Sequence, residues 1–231
     1  MAIGCLYVVA TPIGNLEDIT FRAISTLKKV DFIACEDTRQ TQKLLARYGL
    51  SKPLISYHQH SRLQKINFII DELLNGKKIA LVSDAGTPAI SDPGAKLVDE
   101  AWQQGINVEP IPGPSALTAA LSTCGFSSRK VLFLGFLPKK KGRQTLLKSL
   151  KNQPGVIIIY ESPYRIMRTL KDLHDVLGEV KIYLARELTK QFEQNLRGKI
   201  SEIIEFFKKN KDKIKGEFVI CLQNGYKKSK N

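Results

Sequence analysis

The chain has 231 residues, 43% of them hydrophobic, and a formal net charge of +14, a size that suits one large or two small cored domains. Four dispersed cysteines (Cys5, Cys35, Cys124, Cys221) without a CxxC pair, and only three histidines, give no expected metal site and point to reduced, buried thiols. No apolar stretch approaches the ~20 residues that cross a bilayer, and the N-terminus has no basic region followed by an apolar core, so no membrane contact and a cytoplasmic protein are expected.

The first half alternates short β-rich runs with amphipathic stretches. A strand at Leu6–Val9 leads into the loop Ala10-Thr11-Pro12-Ile13-Gly14-Asn15-Leu16, which lacks the GxGxxG run of a dinucleotide site. Thr20 caps a helix bearing Ile24 and Leu27. A strand at Phe32–Cys35 ends in Glu36-Asp37-Thr38-Arg39, and Thr38 caps a helix that runs to Tyr48 and stops at Gly49. The two acids there suit a helix N-terminus as well as a substrate. A strand at Leu54–Tyr57 precedes Tyr57-His58-Gln59-His60. The apolar face Ile66, Ile69, Ile70, Leu73 and Leu74 ends at Gly76. A strand at Ile79–Val82 opens into Ser83-Asp84-Ala85-Gly86-Thr87-Pro88, where Asp84 reads as a ligand-binding carboxylate or as an Asx-turn. Asp92 caps the next helix, with Pro93 at its first position and Gly105 beyond its end. A strand at Val108–Ile111 gives way to Pro110-Ile111-Pro112-Gly113-Pro114-Ser115-Ala116, and a helix from Ser115 to Thr123 closes at Gly125. Backbone N–H groups at Ser115 and Ala116 can face an anionic or carbonyl ligand group, or simply begin that helix.

Regular β-α alternation predicts a mostly parallel sheet covered on both faces. In such a sheet ligands bind at the carboxyl ends of the strands. Three Gly/Pro loops at those ends predict one small-molecule pocket, because Gly permits close backbone approach and Pro holds it rigid.

The second half changes rhythm. Strands are predicted at Val131–Phe136, Val156–Tyr160, Ile182–Ala185 and Phe218–Leu222, and helices at Gln144–Lys151, Tyr164–Leu177 and Glu202–Lys209. Ser162-Pro163 reads as the cap and first turn of the middle helix. Phe192–Arg197 fits a strand or an irregular hairpin arm. Charge shifts with rhythm: residues 1–125 balance 12 Lys/Arg against 12 Asp/Glu, and residues 126–231 carry 24 against 10. The basic runs are Lys139-Lys140-Lys141-Gly142-Arg143, Lys208 to Lys215, and the tail Lys227-Lys228-Ser229-Lys230; such runs attract phosphate backbones. We therefore expect an N-terminal α/β domain over 1–125 carrying most of the ligand loops, and a basic α/β domain over 126–231.

Read together, the motifs resemble one family. The segment from Leu6 to Thr20, Glu36-Asp37-Thr38-Arg39, Ser83 to Gly94, Pro112-Gly113-Pro114-Ser115-Ala116, Glu161-Ser162-Pro163-Tyr164-Arg165, Arg186-Glu187-Leu188-Thr189-Lys190 and Lys215-Gly216-Glu217-Phe218-Val219 are similar to the ribosomal RNA small subunit methyltransferase I family of the tetrapyrrole-methylase superfamily. The likeness runs from Leu6 to about Leu222. It implies two α/β domains with a cofactor cleft between them, S-adenosylmethionine as methyl donor, no metal, transfer to the ribose 2′-oxygen of a cytidine in 16S ribosomal RNA, and a homodimer. Carried over by motif position, it implies donor contacts from Pro12, Asp84, Thr87, Ser115 and Ala116, with Tyr160 closing the pocket. The family's Tyr-His-Glu-His-Asn segment is altered here by Gln59 and Ser61, which weakens an acid–base role for that loop but not donor binding.

A 2′-hydroxyl is a weak nucleophile, and a positioned base contributes roughly 10²–10⁴-fold. Glu36, Asp37, Glu161 and Glu187, with His58 behind them, are the candidates, and spacing does not rank them. Arg39, Arg165, Arg186 and Lys190 are assigned to phosphate or ribose contacts, and Lys139, Lys140 and Lys141 extend the RNA track. Two other readings stand beside this one: a methyltransferase of the same fold acting on a carboxylate-rich tetrapyrrole precursor, and a non-enzymatic RNA-binding protein. The second of these leaves the three rigid loops unexplained.

Overall fold

The structure, a computed structural model, describes residues 3–57 and 63–224. The Tyr57-His58-Gln59-His60 loop beyond Tyr57, and the Lys227–Lys230 tail, lie outside the described residues. The chain divides into two compact units, 1–115 and 116–231.

The first unit is a doubly wound α/β layer. Its elements are β1 (Cys5–Val9), α1 (Phe21–Lys29), β2 (Phe32–Cys35), α2 (Thr38–Arg47), β3 (Leu54–Ser56), α3 (Leu63–Leu74), β4 (Lys78–Val82), α4 (Gly94–Gln103) and β5 (Asn107–Ile111). All strand pairs are parallel, in the order β3-β2-β4-β1-β5. Alternation along each strand feeds two cores, as the pleat requires. Phe32, Ala34, Ile79 and Leu81 pack against Ile69 and Leu73 of α3 and Leu97 of α4. Ile33, Cys35, Ala80 and Val82 pack on the other face with Ala23 and Leu27 of α1 and Leu45 of α2. Burial on both faces is why these strands read as unbroken apolar runs.

β1 and β4 are neighbours, yet β1 connects toward β2 on one side and β4 toward β5 on the other. That divergence is the topological switch point where such sheets bind ligands, and the first two Gly/Pro loops leave from it.

Two helix starts differ from expectation in the first unit. Asp37, not Thr38, caps α2: its carboxylate accepts the Arg39 N–H. Before α4, Pro93 is the capping position, and Asp92 sits one residue earlier, accepting from the N–H groups of Gly94 and Ala89. At α2 the acid takes the capping place expected for the threonine, whereas before α4 the acid bonds from one residue ahead of the capping proline.

The second unit comprises α5 (Ala116–Thr123), β6 (Val131–Phe136), α6 (Arg143–Ser149), β7 (Gly155–Glu161), α7 (Ile166–Leu177), β8 (Lys181–Arg186), β9 (Gln194–Lys199), α8 (Ile200–Lys209) and β10 (Phe218–Asn224). Its sheet is mixed, in the order β6-β7-β10-β8-β9, and only β6 and β7 are parallel. One face buries Leu147 of α6, Ile166, Leu170 and Leu173 of α7, and Ile203 and Phe207 of α8. The other is covered by Ala120 of α5 and by Cys124 just after it, packed with Ile158, Tyr183 and Cys221. That packing puts α5 in the second unit, so the division falls after Ser115 and not at residue 125. The undecided segment near Phe192–Arg197 is the edge strand β9, whose residues alternate between half-buried and exposed. Ser162 makes no side-chain cap for α7; its carbonyl instead accepts from the N–H groups of Arg165 and Ile166.

Candidate functional site

The three loops of the first unit are tied to one another. Thr11 N–H donates to the Gly86 carbonyl at 2.9 Å, and Gly86 N–H returns a bond to the Thr11 carbonyl at 3.0 Å. The Thr87 hydroxyl donates to the Pro114 carbonyl at 3.1 Å, joining the third loop to the second. Gly86 has φ +85°, and a Cβ there would lie 3.2 Å from Ile13. The close approach of the first two loops therefore depends on glycine. Further along, Ala89 and Ser91 hold positive φ of 69° and 67°, an unfavourable backbone for both residue types. The Asp92 carboxylate pins that turn through Ala89 and Gly94.

Beneath the loops lies a cleft of about 210 Å³ lined by Thr11, Pro12, Leu16, Gln40, Thr41, Lys43, Leu44, Ser83 and Asp84. Pro12 is buried and forms part of its wall. Asp84 is exposed, and its Oδ1 accepts the Asp37 N–H at 2.9 Å, fastening the end of β4 to the start of α2. Gln40, Thr41 and Lys43 were not legible as cleft residues. They come from the first turns of α2, and only the placement of β2 beside β4 brings them to the second loop.

The acids of this region are in different states. Asp37 takes the Arg39 guanidinium with both oxygens, at 3.1 and 2.7 Å, and also the Arg39 N–H. These bonds to Arg39 hold its carboxyl down to about 2. Arg39, assigned to RNA from sequence, is thereby engaged beside its own cap. Glu36 is half-buried, and its pKa is raised, first by burial and then by the charges of Asp84 and Asp92. The cleft presents the exposed carboxylate of Asp84, the amide of Gln40 and the ammonium of Lys43 around a rigid proline wall, a polar lining suited to a ligand with hydrogen-bonding and charged groups. Ser115 is the last residue of the first unit and Ala116 the first of α5.

In the second unit the predicted residues serve two networks. Glu161 is 1% exposed. Its Oε1 accepts from Ser162 N–H and Arg165 Nε, both at 2.8 Å, and its Oε2 accepts the Thr169 hydroxyl at 2.6 Å. Thr169 in turn accepts from Arg143 Nη2 at 2.8 Å, and Arg143 pairs with Asp172 at 2.9 Å. These three bonds make buried Glu161 an anchor for the β7–α7 turn. Arg143 belonged to a basic surface run in the sequence, yet it is 2% exposed. Asp172 and the Thr169 hydroxyl hold it inward, and nothing in a lysine-rich run announced that.

Arg186 lies 9% exposed, donating to the carbonyls of Lys215 and Phe192. Lys190 bridges Glu187 and Glu217, 2.9 Å from each. Burial works against the Lys190 charge, but the two carboxylates outweigh it and raise its pKa. Burial likewise pushes Glu187 up, while the Glu217 N–H and Lys190 reverse that and lower it. Gly216 has φ +80°, and a Cβ there would stand 2.3 Å from the Glu187 carboxyl carbon. This motif is an ion-pair knot in which Arg186 and Lys190 hold their own loop. Lys139, Lys140 and Lys141, by contrast, are exposed and form no ion pair among the described residues. Tyr160 meets the rings of Phe133 and Phe136 edge-on, with centroids 4.9 and 5.8 Å away.

A family model for tetrapyrrole (corrin/porphyrin) methylases matches residues 5–204. The chain is 49% identical over 219 residues to a Thermotoga maritima protein named ribosomal RNA small subunit methyltransferase I, covering 95% of this chain and 98% of that one. It is 49% identical over 226 residues to the protein of that name from Halalkalibacterium halodurans, covering 97% and 78%. Among solved structures, a diphthine synthase superposes with a TM-score of 0.72 at 14% identity over 96% of this chain and 90% of that one. A cobalt precorrin-4 methyltransferase gives 0.69 at 15% identity over 94% of both; at these identities the likeness is one of fold. The chain thus belongs to the tetrapyrrole methylase family and, within it, to the ribosomal RNA small subunit methyltransferase I family.

Proposed function

We propose that this methyltransferase moves a methyl group from S-adenosylmethionine to the ribose 2′-oxygen of a cytidine in 16S ribosomal RNA. The observation that carries the reading is near-full-length identity to relatives named for this RNA, supported by a loop-built cleft at the switch point of a parallel sheet. When bound, S-adenosylmethionine supplies a methyl group on a sulfonium, activated for in-line displacement. Pro12 and the Thr11–Gly86 bridge give it a preformed wall, and Asp84 offers a carboxylate for its hydroxyl or amine groups. Thr87 acts by holding the third loop, so that Ser115 and Ala116 present their backbone N–H groups.

The remaining task is orientation and removal of one proton from the attacking hydroxyl. Glu36 is the strongest of the named bases. Asp37 is committed to Arg39 and Glu161 to its network, whereas burial and neighbouring carboxylates give Glu36 a higher proton affinity. Lys139, Lys140 and Lys141 supply phosphate contacts, because their charge is otherwise uncompensated. A cytoplasmic homodimer completes the proposal, and sedimentation equilibrium tests its stoichiometry.

The decisive assay incubates the protein with methyl-labelled donor and small ribosomal subunits from a strain lacking the modification. Methylation at the 2′-oxygen blocks alkaline cleavage, so label is expected in an alkali-resistant dinucleotide containing cytidine. Label on a base, or none, overturns the reading.

A further inference from the structure

Resting on the RNA reading above, we propose that Phe136 and Tyr164 form a stacking platform for an unpaired nucleotide of the RNA, with Lys139 holding the adjoining phosphate. Phe136 ends β6 and Tyr164 lies just beyond β7, its parallel neighbour; in that register Phe136 stands opposite Tyr160. The Phe136 residue is 54% exposed and Tyr164 96% exposed. Both line one open hollow of about 600 Å³ with Leu137, Pro138, Lys139 and Arg165, a volume within the usual range for a ligand-sized guest. A tyrosine that far into solvent is scarcely covered by the described residues, and two exposed rings in one hollow are a patch and not scattered surface residues.

The charge of the hollow selects the occupant. Among the described residues no carboxylate lines it, and Lys139 does, followed directly by Lys140 and Lys141. Aromatic faces beside uncompensated cations match a single-stranded nucleic acid, whose bases stack on rings while its phosphates meet lysines. A duplex hides its base faces and fits poorly. A second copy of the chain brings the same lysines to the contact and meets like-charge repulsion.

The platform is also held in shape before any guest arrives. Arg165 donates from Nη1 to the Leu137 carbonyl at 2.9 Å and from Nε to Glu161 at 2.8 Å. One guanidinium therefore clamps the loop after β6 to the loop after β7. Preorganisation of this kind lowers the ordering cost of binding.

The test measures binding of a fluorescein-labelled single-stranded oligocytidylate to the full chain by anisotropy, for the parent, Tyr164→Leu, Tyr164→Phe and Phe136→Leu. Both leucine variants are expected to lose roughly 5- to 100-fold in affinity, and Tyr164→Phe to retain it, because stacking needs the flat ring and not the hydroxyl. The salt dependence of log K stays unchanged in all of them, since no phosphate contact is removed. The exposure of Tyr164 leaves the fold of its variants intact, which thermal melting verifies. Parent-like affinity in both leucine variants overturns the platform. So does failure of the parent to bind the oligonucleotide, or affinity loss that sedimentation traces to dissociation of a dimer. Methyl transfer to small ribosomal subunits is run on the same proteins. Transfer undiminished in leucine variants that bind normally removes the platform alone. Absence of transfer by the parent, with the leucine variants still losing affinity, removes the methyltransferase reading and leaves the platform standing.

Discussion

Asp84 and Glu36 show how position alone separates two neighbouring carboxylates. Asp84 is exposed just beyond β4, with one oxygen on the Asp37 N–H, and lines the cleft. Replacing it by alanine removes a charged acceptor, and hydrogen bonds to charged groups are worth about 1.5–3 kcal/mol. Asp84→Ala is therefore expected to weaken S-adenosylmethionine binding roughly tenfold to a hundredfold in calorimetry, with the fold retained because the side chain is exposed. Unchanged affinity would take Asp84 out of the site. Glu36 behaves in the opposite sense. Burial, then the charges of Asp84 and Asp92, raise its pKa in the folded state. The folded protein thus holds that proton more tightly than the unfolded chain, and stability falls as pH rises through the folded pKa. Glu36→Gln is expected to melt higher than the parent at neutral pH, the gap closing below the unfolded carboxylate pKa, where both side chains are neutral. If Glu36 takes the hydroxyl proton, the same variant loses roughly 10²–10⁴-fold in turnover, and the acid limb of the parent's pH–rate profile is displaced upward from that of an ordinary glutamate. A less stable glutamine variant with parent-like turnover would contradict both halves.

At the scale of elements, the β7–α7 turn owes its shape to one hydroxyl. Thr169 donates to Glu161 and accepts from Arg143, all three residues being buried. Thr169→Val keeps the volume and removes the hydroxyl, leaving a buried carboxylate and a buried guanidinium each short of a partner. A loss of about 1–3 kcal/mol in urea-monitored stability is expected, and a loss within experimental error would mean that water replaces the hydroxyl. This network also marks where sequence reading stops. The parallel sheet was legible because burial on both faces leaves unbroken apolar runs such as Ile79–Val82. The convergence of the loops was legible because Gly and Pro at strand ends have few other uses. Side-chain pairing was not: Arg143, Arg165, Arg186 and Lys190 look alike in sequence to Lys139, Lys140 and Lys141. Only contacts distant in the chain, such as Arg143 with Asp172 or Lys190 with Glu217, separate structural cations from available ones. Helix starts slipped by one residue, since Asp37 takes the cap expected for Thr38 and Asp92 bonds Gly94 N–H from just ahead of the capping Pro93.

For the whole molecule, charge is divided as sharply as structure. Residues 1–125 carry no net charge and the remainder carries the full +14 excess. A diffuse excess and a localised track make different predictions. Long-range attraction depends on total charge and is screened within a Debye length of about 8–10 Å. Contact with phosphates instead releases counterions in proportion to the number neutralised, giving a slope of about −0.7 per phosphate on single strands. Replacing Lys139, Lys140 and Lys141 together by alanine should therefore flatten the plot of log K against log salt for a single-stranded RNA by about 2 units. A second triple variant, Lys208→Ala with Lys209→Ala and Lys211→Ala, removes the same charge from the exposed end of α8 and the turn after it. Its slope should stay near that of the parent, because those lysines lie far along the chain from the aromatic hollow and one already pairs with Glu205. Equal flattening by the two variants would show that only the sum of charge matters, and the localised RNA track after β6 would have to be given up.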